Sequence, residues 1–156
     1  MEKTNVMRIL DHAKVEYKTH FYDSDGAIPG VEVAAIIGKE VDCVFKTLVT
    51  VGKSGANYVF VIPVADELDL KKAAAHVKEK SIEMIKSKNL LPTTGYIHGG
   101  CSPIGMKKLF VTTVDETAEI CDTIVFSAGK IGTQVEMTLD TLKSLVPLTT
   151  ADLTVR

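Results

Sequence analysis

Apolar residues at Val6, Ile9, Leu10 and Ala13 recur at the spacing of one helix face, and Thr4 stands where a hydroxyl would cap the first turn. At Tyr17 the period changes. Tyr17, Thr19 and Phe21 alternate with Lys18, His20 and Tyr22, which predicts a half-buried strand. Asp23-Ser24-Asp25-Gly26 breaks that run, and Pro29-Gly30 opens a short helix with Val31, Ala34 and Ala35 on one stripe, stopping near Gly38. Val44 to Val51 and Tyr58 to Val64 are β-branched and aromatic runs about Gly52-Lys53-Ser54-Gly55, the pattern of a hairpin.

Further on, Asp69 is placed to cap a helix through Val77, with Leu70, Ala73, Ala74 and Val77 turned inward. Ser81 to Leu91 fits either a short strand plus a helix or one continuous helix. Phe110 to Val114, Thr123 to Ser127 and Thr133 to Met137 predict three strands, the last two joined by Ala128-Gly129-Lys130-Ile131-Gly132. Thr138 then caps a final helix with Leu139, Leu142, Leu145 and Val146 as its stripe. Hairpins mixed with short helices, instead of strict strand–helix alternation, predict an α/β chain of the α+β type, a mixed β-sheet with helices packed on it. With no repeat, low-complexity tract or linker in between, residues 1–156 read as one domain.

Composition narrows the function. Hydrophobic residues make up 46% and charged residues 24%, an ordinary globular balance that excludes a disordered chain. Eighteen basic residues against 20 acidic ones, a formal charge of −2, argue against non-specific nucleic-acid binding. They leave room for a protein that touches only the tip of an RNA through one or two local cations. Met1 to Leu10 carries Glu2, Lys3 and Arg8 without an apolar run, so no signal peptide is expected. The stretch Tyr58 to Ala65 contains Pro63 and is far shorter than the ~18 residues of a membrane span. Cys43, Cys101 and Cys121 are odd in number and form no Cys-x-x-Cys pair, so neither a zinc site nor a disulfide framework is expected. The reading is a reduced, cytoplasmic chain without metal or cofactor.

Candidate chemistry gathers in two places. Gly99-Gly100-Cys101-Ser102-Pro103-Ile104-Gly105 concentrates residues that take unusual backbone conformations and let another molecule approach the main chain. Consecutive N–H groups in such a loop suit an oxyanion, carboxylate or phosphate, although a tight turn is the plainer use. Lys46 interrupts Val44-Phe45-Lys46-Thr47-Leu48-Val49. It is either a cation on the solvent face of a strand or an ammonium presented to a phosphate. Cys101 with His98 three residues earlier could form a thiol–imidazole pair, but a lone cysteine more often serves as a small buried hydrophobe. Asp66 and Asp69 are explained by capping, without a metal.

Val44-Phe45-Lys46-Thr47-Leu48, Leu68-Asp69-Leu70-Lys71-Lys72-Ala73, Thr94-Gly95-Tyr96, the glycine loop and Ser127-Ala128-Gly129-Lys130 follow one another in the order of one known family. The chain resembles the YbaK/EbsC aminoacyl-tRNA deacylases, related to the editing domain inserted in bacterial prolyl-tRNA synthetases. The resemblance implies a curved mixed sheet with a pocket for the 3′ end of mischarged tRNA(Pro), and hydrolysis of its aminoacyl ester. Cys-tRNA(Pro) is the implied substrate. Ala-tRNA(Pro), or a non-catalytic module that binds a nucleotide or RNA end, are the alternatives. The implied catalytic residues are Lys46, holding a phosphate or the terminal ribose, and Gly100, contacting the scissile carbonyl through its backbone. Tyr22, Thr47, Gly99, Ser102, Ser127 and Gln134 are implied substrate contacts. Gln134 stands where this family often has an acid, so that position orients and does not act as a base. Pro29 falls where a pocket aromatic is expected. The implied mechanism uses the substrate's own thiol, with prolyl-tRNA synthetase as a possible partner holding the tRNA body.

Overall fold

The structure, a computed structural model, describes residues 3–156; Met1 and Glu2, part of the amino-terminal stretch read above, lie outside them. The chain runs α1 (Asn5–Ala13), β1 (Lys18–Phe21), α2 (Gly30–Ile37), a 3-10 turn (Val41–Cys43), β2 (Phe45–Gly52), β3 (Asn57–Pro63), α3 (Leu70–Val77), β4 (Ile82–Met84) and α4 (Ser87–Thr94). It continues through β5 (Val111–Asp115), a second 3-10 turn (Glu116–Ile120), β6 (Ile124–Lys130), β7 (Thr133–Met137), α5 (Leu139–Leu145) and β8 (Leu148–Ala151). The predicted caps are made. Thr4 accepts from the Met7 N–H at 3.2 Å, Asp69 from those of Lys71 and Lys72, and Thr138 from that of Thr141. Ser81 to Leu91 resolves into a strand followed by a helix.

The predicted single sheet is divided. β1-β7-β6 is antiparallel throughout, whereas β4-β2-β3-β5-β8 pairs antiparallel about β2 and parallel from β3 to β8. A parallel bridge between Val44 and Val125 joins the two. The main core lies between these sheets and under α1 and α5, with Val6, Leu10, Val59, Val61, Val114, Phe126, Val135 and Leu142 fully buried. Each such side chain contributes about 1.5–3 kcal/mol by leaving water. A smaller cluster of Ala34, Val44, Val64 and Val125 seats α2.

Three expectations are corrected. α2 buries Val33 and Ala34, while Val31 and Ala35 are exposed, because only a narrow stripe of this helix meets the body. On β1 the half-buried residue is His20, which bonds Glu136 of the neighbouring β7, and Phe21 is 45% exposed, because it points to the other face of this edge strand. Third, Cys43 and Cys121 form a disulfide across a sequence separation of 78, against the expectation of none. The two 3-10 turns bring them together, and local spacing carries no trace of such a tertiary approach. β8 was also not foreseen. Among the described residues, no helix is long and apolar enough to cross a membrane.

Candidate active site

β2 places Lys46 and Thr47, next to each other on the strand, along a cavity of about 580 Å³. The rest of the lining comes from the β1 exit (Tyr22), the start of α2 (Pro29, Gly30, Val33) and the β6–β7 pair (Ser127, Gln134), which the parallel Val44–Val125 bridge sets alongside β2. Ser127 and Gln134 are register partners across β6 and β7, so their side chains share one sheet face. His20 is paired with Gln134 on the other side. Ser87 and Leu90, one turn apart on α4, and His98, Gly99 and Cys101 of the glycine loop close the rim.

Six of the eight residues singled out in the sequence therefore meet in one cavity: Tyr22, Lys46, Thr47, Gly99, Ser127 and Gln134. Gly100 and Ser102 do not line it. The Gly100 N–H donates to Ile97 O at 3.0 Å, and a side chain at this position would press within 3.3 Å of the Ile131 nitrogen. Gly100 thus lets the loop pack against the β6–β7 turn. Ser102 is fully buried and its Oγ accepts from the Ile104 N–H, which shapes the turn before Pro103. The neighbours of Gly100, Gly99 and Cys101, do line the cavity, and neither backbone N–H has a protein acceptor among the described residues. Gly99 needs its lack of a side chain twice over, for a φ of +86° and for an approach to Ala27 that would put a Cβ 2.5 Å from the alanine's own.

The polar wall has unused hydrogen-bonding capacity. Thr47 Oγ1 is buried without a partner, and Lys46 has no carboxylate partner among the described residues. Gln134 makes no side-chain hydrogen bond among the described residues, and Ser127 Oγ accepts from the Gly129 N–H at 3.1 Å, leaving its own proton to donate. A buried hydroxyl left without a partner costs about 1–3 kcal/mol.

Cys101 is also in the wall, but as a neutral thiol. Burial pushes it up to about 12, far above neutrality, and it makes no hydrogen bond with His98. The Tyr96 hydroxyl, likewise pushed up to about 12 by burial and next by Cys101, donates to Ile104 O. Its ring fills the space where Gly105 and Gly129 have no side chains. Tyr96 thereby buckles the glycine loop to the β6–β7 hairpin, which accounts for three of the sequence motifs occurring together. The α4 contributions, Ser87 and Leu90, were not foreseen. Their spacing on one helix face was the available signal. Among the described residues no three His, Cys, Asp or Glu side chains are grouped as metal ligands.

The profile of the aminoacyl-tRNA editing domain matches residues 29–145, which takes in every cavity residue named above except Tyr22. A curated protein of Enterococcus faecalis, named as the Cys-tRNA(Pro)/Cys-tRNA(Cys) deacylase EbsC, is 45% identical over 156 residues, covering 99% of this chain and 95% of that one. A solved structure described as a trans-editing enzyme for prolyl-tRNA synthetase superposes with a TM-score of 0.85 at 23% identity, covering 99% of this chain and all of the other. The hypothetical protein APE2540 superposes equally well, with a TM-score of 0.85 at 18% identity over 96% of this chain and 99% of its own. These two likenesses establish the fold.

Proposed function

The chain belongs to the aminoacyl-tRNA editing-domain family, and from that premise we propose that it is a trans-acting deacylase that clears Cys-tRNA(Pro). One observation carries the reading: Lys46, Thr47, Ser127, Gln134, Gly99 and Cys101 all line one cavity, and Lys46 has no carboxylate partner among the described residues. That set suits the end of an aminoacylated RNA. The Lys46 ammonium holds a terminal phosphate or ribose as a point charge. Thr47, Ser127 and Gln134 fix the ester and the α-amino group, and the two loop N–H groups receive the developing oxyanion.

The nucleophile is the substrate's own thiol. Its sulfur attacks the ester carbonyl, a carbon–sulfur bond forms, and the carbon–oxygen bond to the ribose breaks. The thiol proton passes to the departing ribose hydroxyl. The resulting four-membered thiolactone leaves and is opened by water. The protein's share is positioning and oxyanion stabilisation, both of which need only the groups already in place. Selecting cysteine chemically matters because pocket fit alone separates amino acids differing by one methylene by only ~1–3 kcal/mol. In this reading prolyl-tRNA synthetase holds the tRNA body.

Incubating the purified protein with Cys-, Ala- and Pro-tRNA(Pro) tests this reading. Fast release of cysteine with little alanine or proline released is the expected result. Preferred release of alanine would reassign the substrate, and tight RNA-end binding without turnover would leave a binding module.

A further inference from the structure

Glu136 is a buried carboxylate outside the cavity to which no role has yet been assigned. It lies on β7 two positions after Gln134, hence on the same strand face and one pleat further along. Three elements converge on it. From β1, His20 Nε2 meets Oε1 at 2.7 Å. From the turn after α2, Lys39 Nζ lies 3.0 Å from Oε1 and 3.2 Å from Oε2. From the lead-in to β6, Thr123 Oγ1 donates to Oε2 at 2.5 Å.

Two of those elements form the cavity wall. β1 runs directly into Tyr22, and α2 supplies Pro29, Gly30 and Val33. The apolar seat of α2 is small, a cluster of four buried residues with Ile37 and Val41 beside them. At its start the helix is held by a close approach, where a Cβ on Gly30 would fall 2.5 Å from Val64 Cγ1. At its end the Lys39–Glu136 pair supplies the second attachment. We propose that Glu136 is a positioning residue, tying the end of α2 and the β1 exit to β7 so that the lining these two elements supply keeps its place in the cavity it shares with Lys46 and Thr47. The effect on turnover rests on the deacylase reading; the attachment itself does not.

Only a carboxylate can accept from three donors here. A glutamine at 136 keeps one acceptor oxygen and turns an NH₂ group toward Lys39 or His20. The test uses Glu136→Gln, Lys39→Met and Lys39→Arg, with two readouts. Amide hydrogen exchange over residues 30–38 should speed up at least tenfold in Glu136→Gln and Lys39→Met, with the β2–β3 hairpin unchanged. For Cys-tRNA(Pro), KM should rise at least fivefold with kcat within twofold of wild type. Lys39→Arg should restore both, since a guanidinium can donate to the same carboxylate. Should Glu136→Gln fail to fold, the Lys39 pair carries the test, because Lys39 is partly exposed. Wild-type exchange in α2 with both Lys39 variants would overturn the attachment. Faster exchange spread evenly over the chain, with kcat and KM lost together, would also overturn it by reducing Glu136 to general stability. A wild-type protein that releases no amino acid would instead overturn the deacylase reading, and the exchange data would still decide the attachment.

Discussion

Lys46 shows how a single side chain is read from its surroundings. A lysine in an apolar strand run is legible in the sequence as an exception, but alternation alone allows it to face water. Its place in the cavity wall beside an unpartnered threonine hydroxyl comes only from the fold. Lys46→Ala should keep the wild-type melting temperature and lower kcat/KM about 30- to 150-fold, the equivalent of about 2–3 kcal/mol for a lost charge-assisted contact. Wild-type turnover in the folded variant would return this lysine to solvent. Cys101 gives the opposite lesson. Next to glycines and three residues from His98 it offers a nucleophile as the lesser reading beside a small buried hydrophobe, and burial keeps its thiol protonated at neutral pH. Cys101→Ala should therefore retain most Cys-tRNA(Pro) deacylation, while Ser-tRNA(Pro) is a poor substrate because a hydroxyl ionises far less than a thiol. An acyl-enzyme trapped on Cys101 and detected by mass spectrometry would sink the substrate-thiol mechanism.

The elements were largely visible from periodicity and caps, because Thr4, Asp69 and Thr138 each act within three residues of themselves. What escaped depends on distant partners. Leu148–Ala151 has too few residues and too mixed a face to announce a strand, and it becomes one only beside β5. The inward face of α2 was misread because Val31 and Val33 are equally apolar, and only the packing against Val44, Val64 and Val125 decides between them. In the glycine loop, composition marked residues that the fold then divides. It could not say that Gly99 lines the cavity while Gly100 packs against the β6–β7 turn. That division is testable. Gly99→Ala meets both a left-handed φ and the Ala27 Cβ, so it should lose at least tenfold in kcat/KM and about 1–3 kcal/mol in urea unfolding. Gly100→Ala, without a positive φ, should cost less stability in the same titration.

Across the whole molecule, two long-range ties dominate, and neither was legible in local spacing. The first is ionic. Burial raises the Glu136 carboxyl, but hydrogen bonds from Thr123, His20 and Lys39 outweigh it and bring the group down to about 2. A carboxyl depressed on folding stabilises above its unfolded value of about 4.3, and that contribution is lost as pH falls toward 2. Urea unfolding should show roughly 3 kcal/mol disappearing between about pH 5 and 2, with Glu136→Gln flattening the profile. The second tie is covalent. Cys43–Cys121 closes a loop of 78 residues, for which chain entropy predicts about 4 kcal/mol. Cys43→Ala/Cys121→Ala should stay folded but melt about 10 °C lower by calorimetry. An unchanged melting point would mean that the bond adds nothing. The pairing of β1 with β7 also governs time. His20 and Glu136 are 116 residues apart, and β1 has no other strand neighbour. A ribosome that has made β1 through β5 can already assemble most of the larger sheet, but the wall carrying Tyr22 waits for the β6–β7 hairpin to emerge. Contacts of such separation form late and slowly. The cavity therefore stays open on its Tyr22 side until β6 and β7 have emerged, and it forms later than the β2–β3 hairpin that carries Lys46.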